Sequence, residues 1–302
     1  MEPIVLVHGG AGEIPNDQRA QELLEGVKYA AKEGYKALKA NNSLLDAVET
    51  AVRILEDNEM YNAGKGSVLN LDGEVEMDAS IMVGSDLSAG AVTIVKDVKN
   101  AITLARRVME KTPHFMLAGE GALRFAKEQG LEILPPGELV TPAKRERLEL
   151  IKAKLVEKKA ELGTVGAVAA CNGHVVAATS TGGYEGKMVG RSSDTCVLGS
   201  GTYADDALGA VSTTGHGESI AKFCLAYAIL KEIEKGKNVQ DATTYSIEKM
   251  TEKLKNTAGA ITVTPKGEVG IGFSSKRMTW AYQIGDELHF GVNRNEHHIE
   301  KV

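Results

Sequence analysis

The chain has 302 residues, enough to bury a large core as one large domain or two small ones. Its 43% hydrophobic and 25% charged residues are ordinary for a soluble globular protein, and a formal charge of −6 argues against nucleic acid as the main partner. Three scattered cysteines, Cys171, Cys196 and Cys224, lack CxxC spacing and point to a reducing compartment. The start, Met1 to His8, has no basic n-region, and its apolar run is too short for a signal peptide or a membrane span. A cytoplasmic protein is expected.

Ile4 to Val7 is an unbroken apolar run and predicts a buried strand, ended by the glycine cluster His8-Gly9-Gly10-Ala11-Gly12. That cluster lacks GxGxxG spacing, so it is no dinucleotide fingerprint. Two helices follow, one carrying Ala20, Leu23, Leu24, Val27, Ala30 and Ala31, the other Leu44, Leu45, Val48, Ala51, Val52 and Leu55. Ser43 and Asp46 have capping-box spacing at the second helix start. Tyr61 to Ser67 is a glycine-rich loop, and Leu71-Asp72-Gly73-Glu74 signals a hairpin. Ala79 to Val83 and Ala89 to Val95 predict strands. Asn100 to Met109 predicts a helix, broken by Thr112-Pro113-His114. Ala122 to Lys127 is a short helix, and Pro135-Pro136-Gly137 precedes a charged run over Lys144 to Glu161. That run has only a thin apolar stripe of Leu148, Ile151, Leu155 and Leu162, which suits a solvated helix or a mobile linker.

Beyond it the character changes. Val165 to Ala170 and Val175 to Thr181 predict strands joined by a hairpin at Asn172-Gly173. On the second strand Thr179 and Thr181 face one way and Ser180 the other. Cys196 to Leu198 and Ala210 to Thr214 predict further strands. Ser219 to Lys235 and Val239 to Lys255 predict long helices. The tail returns to strands around Ala260 to Val263, Val269 to Phe273, Thr279 to Ile284 and Leu288 to Val292, with His297-His298 in a solvated tail. Strands, helices, strands, helices, strands suit two sheets layered between helices.

The chemistry centres on Gly163-Thr164. A threonine hydroxyl is a weak nucleophile that needs a base. An N-terminal threonine carries its own, an α-amine with a pKa of about 7.7–8.0. Thr164 gains that amine only if the Gly163–Thr164 bond breaks, and Gly163 leaves its carbonyl open to attack by the threonine hydroxyl. Downstream, Gly190-Arg191-Ser192-Ser193-Asp194 places an arginine and an aspartate on one loop. Such a pair grips the carboxylate and ammonium of an amino acid. Thr213-Thr214-Gly215-His216-Gly217-Glu218 lies where a strand passes into a helix, a junction whose N–H groups and hydroxyl suit an oxyanion hole. The α-amine makes His216 unnecessary as a base, and both His216 and His8 read as structural. There is no HExxH zinc helix, and the stretch from Thr181 to Met188 is not a P-loop.

These motifs, in order, resemble the plant-type L-asparaginase (isoaspartyl peptidase) family of the N-terminal-nucleophile hydrolase superfamily. The resemblance runs almost end to end. It includes His8 to Gly12, Tyr61 to Ser67, Glu76-Met77-Asp78-Ala79-Ser80-Ile81-Met82, Thr112-Pro113-His114, Gly163 to Ala169, Thr179-Ser180-Thr181-Gly182-Gly183, Gly190-Arg191 with Asp194, and Thr214 to Glu218.

The resemblance implies an α+β fold, the four-layer αββα sandwich, formed by a single domain over residues 1–302. It implies self-cleavage at Gly163-Thr164 into an α subunit, 1–163, and a β subunit, 164–302. Thr164 would attack L-asparagine or a β-aspartyl dipeptide and form an acyl-enzyme. Thr181 would hydrogen-bond Thr164, while Thr214 and Gly215 would form the oxyanion hole. Arg191 would bind the α-carboxylate and Asp194 the α-ammonium, with Gly217 lining the pocket and Asn62 near the nucleophile. No cofactor is implied beyond a structural sodium ion on the backbone carbonyls of Leu55, Glu56, Asn58, Tyr61, Ala63 and Lys65. A homodimer of αβ protomers is implied, with no nucleic-acid or membrane partner. The segment before Thr164 is shorter and more helix-like than the family's usual linker, and Val83 stands where an aspartate is common. Two other readings stay open: a glycosylasparaginase-like hydrolase or threonine aspartase, or an uncleaved amino-acid-binding protein using Arg191 and Asp194.

Overall fold

The structure is a computed structural model and describes residues 2–156 and 163–302. In chain order it forms β1 (Ile4–Gly12), α1 (Asp17–Asn41), α2 (Leu44–Glu56), β2 (Met77–Val83), β3 (Ala89–Val95), α3 (Ala101–Lys111), β4 (Met116–Ala118), α4 (Gly119–Glu128) and α5 (Pro142–Lys152). After residue 163 come β5 (Val165–Cys171), β6 (His174–Thr181), a 3₁₀ turn (Asp194–Cys196), β7 (Thr202–Asp205), β8 (Gly209–Gly215), α6 (Gly217–Phe223), α7 (Leu225–Glu234) and α8 (Val239–Leu254). The chain closes with β9 (Ala258–Val263), β10 (Val269–Phe273), β11 (Arg277–Ile284), β12 (Glu287–Gly291) and β13 (His298–Lys301).

The strands build two sheets. Nine run in the order β13-β12-β11-β1-β5-β6-β2-β3-β4, and four in the order β10-β9-β8-β7. Helices α1, α2 and α3 cover the outer face of the large sheet, and α7 and α8 cover that of the small one. The two inner faces meet over Leu6, Val168, Ala177, Ile261 and Trp280. Separate apolar layers fill the space under each helical face. This is the αββα sandwich expected from the sequence. Strand β1 lies between β11 and β5, buried on both faces, which explains its unbroken apolar run.

The local signals account for much of this frame. Ser43 Oγ accepts the Asp46 N–H at 3.1 Å and caps α2. Asn172 and Gly173, both at positive φ, form the tight turn between β5 and β6. Thr179 faces the small sheet and Ser180 the helical layer, where its hydroxyl reaches Glu56.

Several elements differ from the sequence expectations. His8 to Gly12 continues β1 through an irregularity between His8 and Ala11, because β11 pairs with it as far as Gly12, whereas pairing with β5 ends at His8. Leu71 to Glu74 is a turn closed by Asn70 onto Glu74 with no ladder beside it, so it is not a hairpin. Cys196 to Leu198 is no strand: Ser193 caps the Thr195 N–H and winds Asp194–Cys196 into a 3₁₀ turn. The helix expected over Ser219 to Lys235 breaks at Cys224, which sits in the left-handed region at φ 53°. His298 opens an edge strand and His297 bonds His289 at 2.8 Å, so this tail is paired to the sheet. In the charged run, Leu148 and Ile151 are buried on α5 and Leu155 is exposed. The remainder of that stripe, including Leu162, lies outside the described residues.

Candidate active site

Thr164 immediately precedes β5 at the centre of the large sheet. Val165 pairs with Ser180, so the register carries Thr164 beside Thr181. Gly163, Thr164, Thr181, Arg191, Asp194, Gly215 and Gly217 line one cavity, together with Gly183, Tyr184 and Ser193. All the residues expected to meet at the site therefore do so, except two. Thr214 lies one residue deeper, buried and accepting the Ala11 N–H on its hydroxyl at 3.2 Å. Asn62 supports the wall from behind. Its amide N–H donates to Gly183 O at 2.8 Å and its Oδ1 accepts the Val68 N–H at 2.9 Å. The cavity encloses about 20 Å³, the size of a single water.

Thr164 is buried, and so is Thr181, whose hydroxyl accepts the Gly183 N–H at 2.9 Å. Behind Thr164 a chain of buried polar groups stitches the two sheets together. His8 Nε2 bonds Ser212 Oγ at 2.9 Å, and Ser212 Oγ bonds Thr179 Oγ1 at 2.8 Å. Thr202 donates to Thr179 at 2.5 Å, and Ser80 donates to Thr202 at 2.8 Å. Burial drives the His8 imidazole down to about 3, against a raising contact from the Thr164 backbone. A neutral, hydrogen-bonded His8 fits the structural role expected for it. His216 caps α6, accepting the Ser219 N–H, and is structural too.

Arg191 and Asp194 both press on Gly217. A Cβ there would stand 2.7 Å from Arg191 Nη2 and 2.7 Å from Asp194 Oδ1, so only glycine fits. Burial pushes the Asp194 carboxyl up to about 7, with Arg191 pulling the other way. An ammonium in the cavity would supply the missing counter-charge. Glu218 holds Arg191 Nε and Nη2 on its two carboxylate oxygens, each at 3.0 Å. Sequence reasoning named neither this pair nor Tyr184 and Ser193 in the wall. Glu218 stood in a recognised motif, whereas Tyr184 carried no signal.

The loop after α2 closes tightly on itself. Glu56 O accepts the Lys65 N–H at 2.8 Å, and Asn58 O accepts the Tyr61 N–H at 3.1 Å. A Cβ on Gly64 would stand 2.3 Å from Glu56 O, so the backbone itself packs against that carbonyl. Neutral carbonyl oxygens at close quarters are donors for a hard cation. Among the described residues no group of three or more His, Cys, Asp or Glu is placed to hold a metal.

A four-layer sandwich with a threonine at the head of a central strand, facing an oxyanion-type turn and an Arg–Asp pair, is the architecture of N-terminal-nucleophile hydrolases. Comparison with known proteins narrows this. A family model described as Asparaginase matches residues 1–292. The isoaspartyl peptidase/L-asparaginase of Bos taurus is 48% identical over 298 residues, covering 97% of each chain. That of Homo sapiens is 49% identical over 302 residues, covering 98% of each, and that of Xenopus laevis is 46% identical over 303 residues. The chain belongs to this asparaginase family.

Proposed function

We propose that the protein cuts its own Gly163–Thr164 bond and then hydrolyses L-asparagine to L-aspartate and ammonia, and β-aspartyl dipeptides to aspartate and the second amino acid. The observation that carries this reading is the single cavity in which Gly163, Thr164, Thr181, Gly215 and the Arg191–Asp194 pair meet. The names of the relatives support the same substrates.

In the first reaction Thr164 Oγ attacks the Gly163 carbonyl, the amide becomes an ester, and water hydrolyses the ester. The products are a Gly163 carboxylate and a free Thr164 amine. Until then Gly163 occupies the cavity wall and leaves only the volume of one water. In the second reaction the Thr164 amine takes the proton of its own hydroxyl. The hydroxyl attacks the substrate side-chain carbonyl, while the Thr214 hydroxyl and the Gly215 N–H receive the oxyanion. Ammonia or an amino acid leaves, and water releases aspartate. Thr181 orients the nucleophile. Arg191 holds the α-carboxylate and Asp194 the α-ammonium, and Gly217 makes room for both.

The loop of Leu55, Glu56, Asn58, Tyr61, Ala63 and Lys65 would hold a sodium ion by its carbonyls and thereby stiffen the support of Asn62. An assembly of two αβ pairs and a cytoplasmic location complete the reading. Among the described residues no helix is long and apolar enough to cross a membrane.

Denatured mass spectrometry with N-terminal sequencing, followed by an ammonia-release assay on L-asparagine, tests the whole scheme. Two fragments, one starting at Thr164, with asparagine turnover are expected. One lasting full-length mass that binds asparagine without turnover would establish an amino-acid-binding protein instead.

A further inference from the structure

The stretch Glu76-Met77-Asp78 has no part in the chemistry above, yet it reaches the substrate clamp at three points. Glu76 and Asp78 are both fully buried. The Glu76 carboxylate accepts the Gly190 N–H on both oxygens, each at 3.2 Å, and its carbonyl accepts Lys187 Nζ at 2.6 Å. Asp78 Oδ2 accepts the Ser193 N–H at 2.8 Å. Arg191 lies between these anchors, and Asp194 follows directly after the second. Two buried carboxylates thus fix the backbone on either side of the arginine and immediately before the aspartate.

The other end of Asp78 is tied just as firmly. Its Oδ1 accepts the Thr93 hydroxyl at 2.7 Å and the Ile94 N–H at 3.0 Å. Ile94 adopts φ +57°, a conformation a β-branched residue takes only under constraint. That constraint turns its N–H onto the carboxylate. Three donors on one carboxylate leave it little freedom to move. The pairing of β2 with β6 places Asp78 opposite Thr181. The carboxylate that holds the clamp loop therefore belongs to the residue facing the partner of the nucleophile.

We propose that Glu76 and Asp78 are positioning residues that set where Arg191 and Asp194 stand relative to Thr164, and so decide recognition of the α-carboxylate and α-ammonium of the substrate. The proposal rests on the clamp reading of Arg191 and Asp194. Neither carboxylate lines the cavity, so they act on substrate indirectly, by holding the 187–194 loop and, for Asp78, through its charge beside Asp194. Exchanging a charged acceptor for an amide weakens its hold on the Gly190 or Ser193 N–H and lets that loop drift. A shift of a few tenths of an ångström spoils bidentate recognition far more than it spoils attack on an amide.

The test compares L-asparagine with succinamate, which keeps the amide and carboxylate but lacks the α-ammonium. Asp78→Asn and Glu76→Gln are measured beside the parent after cleavage at Gly163 is verified by mass. The parent should prefer L-asparagine. Each variant should raise KM for L-asparagine by up to about tenfold, the order of exchanging a charged acceptor for a neutral one, and more than it lowers kcat. The ratio of kcat/KM between the two substrates should fall in Asp78→Asn, which loosens the residue before Asp194, whereas Glu76→Gln acts beside Arg191 and should raise KM for both. Variants that keep the parental KM for L-asparagine, or that lower kcat on both substrates with KM unchanged, overturn the positioning role and leave the clamp reading intact. A parent indifferent to the α-ammonium overturns the clamp reading and the proposal together. Should Asp78→Asn fail to fold, Glu76→Gln, which keeps one oxygen on the Gly190 N–H and removes only the charge, decides the matter alone through KM.

Discussion

Glu218 grips Arg191 side-on, its two carboxylate oxygens taking Nε and Nη2 at 3.0 Å each. A guanidinium has two bidentate edges, and this contact uses one. The other edge, Nη1 with Nη2, lies against Gly183 and Gly217, where Cβ atoms would stand 2.9 and 2.7 Å away. Both glycines line the cavity, so the free edge is turned toward substrate. Glu218 therefore aims the arginine and does not compete for it. The pair is half exposed, so its strength is modest. Glu218→Gln should raise KM for L-asparagine about two- to fivefold with little change in kcat. A lowered KM would show that Glu218 occupies the carboxylate subsite and must be displaced.

Gly217→Ala tests the same geometry by steric means. The new methyl would stand 2.7 Å from both Arg191 Nη2 and Asp194 Oδ1, closer than carbon contacts allow. Arg191 has a long stem that yields, but Asp194 is buried and does not. The two groups should be pushed apart, raising KM by about ten- to a hundredfold. Thr164, Thr181 and Thr214 are untouched, so both fragments should still form. An alanine variant with parental KM would show that the clamp reaches substrate by another path.

How much of this was legible in the sequence depends on the range of each signal. The strand-turn-strand of β5 and β6 was plain, because Asn172-Gly173 and alternation are local features. So were the site residues, since glycine, threonine and arginine recur in short ordered motifs. The break at Cys224 was not legible: its left-handed backbone lets α7 turn onto the small sheet, and nothing in the residues around it announces a bend. The edge strands β4, β7 and β13 were missed for another reason, being only three or four residues long, too short to show a pattern, and held by pairing along one edge only. Asp78 was visible as part of a motif, but its hold on Ser193 spans 115 residues and appears only once the sheet is assembled.

Asp194 predicts a pH dependence with a definite sign. Burial raises its carboxyl from 3.8 to about 7, so the folded protein holds a proton there that the unfolded chain has already lost. Its contribution to stability is therefore full below about pH 4 and is lost as pH rises through about 7. Binding runs the opposite way, because an ammonium is held by the carboxylate form. KM for L-asparagine should rise as pH falls below about 7, approaching tenfold per unit. Asp194→Asn should raise KM throughout and flatten that slope. A KM independent of pH between about 5.5 and 8.5 would mean that Asp194 is already ionised before substrate arrives.

The processing step has its own steric determinant. Gly10 sits at φ +104°, and a Cβ on it would stand 2.8 Å from both N and O of Gly163. The carbonyl that Thr164 must attack is thus backed directly by bare backbone of β1. Alanine at this position meets two penalties, an unfavourable dihedral and a collision with the scissile peptide. Gly163 cannot retreat far, because Val165, two residues on, is already paired into β5 opposite Ser180. Gly10→Ala should therefore turn the Gly163 carbonyl away from the threonine hydroxyl and slow cleavage by about a hundredfold, the cost typical of a misplaced reacting group. Time-resolved mass spectrometry on freshly made protein reads this rate directly. Protein that does mature should hydrolyse L-asparagine with a nearly normal kcat, since the Gly163 carboxylate is then free to leave. A fast-cleaving but inactive Gly10→Ala variant would place the role of Gly10 in substrate turnover and not in maturation.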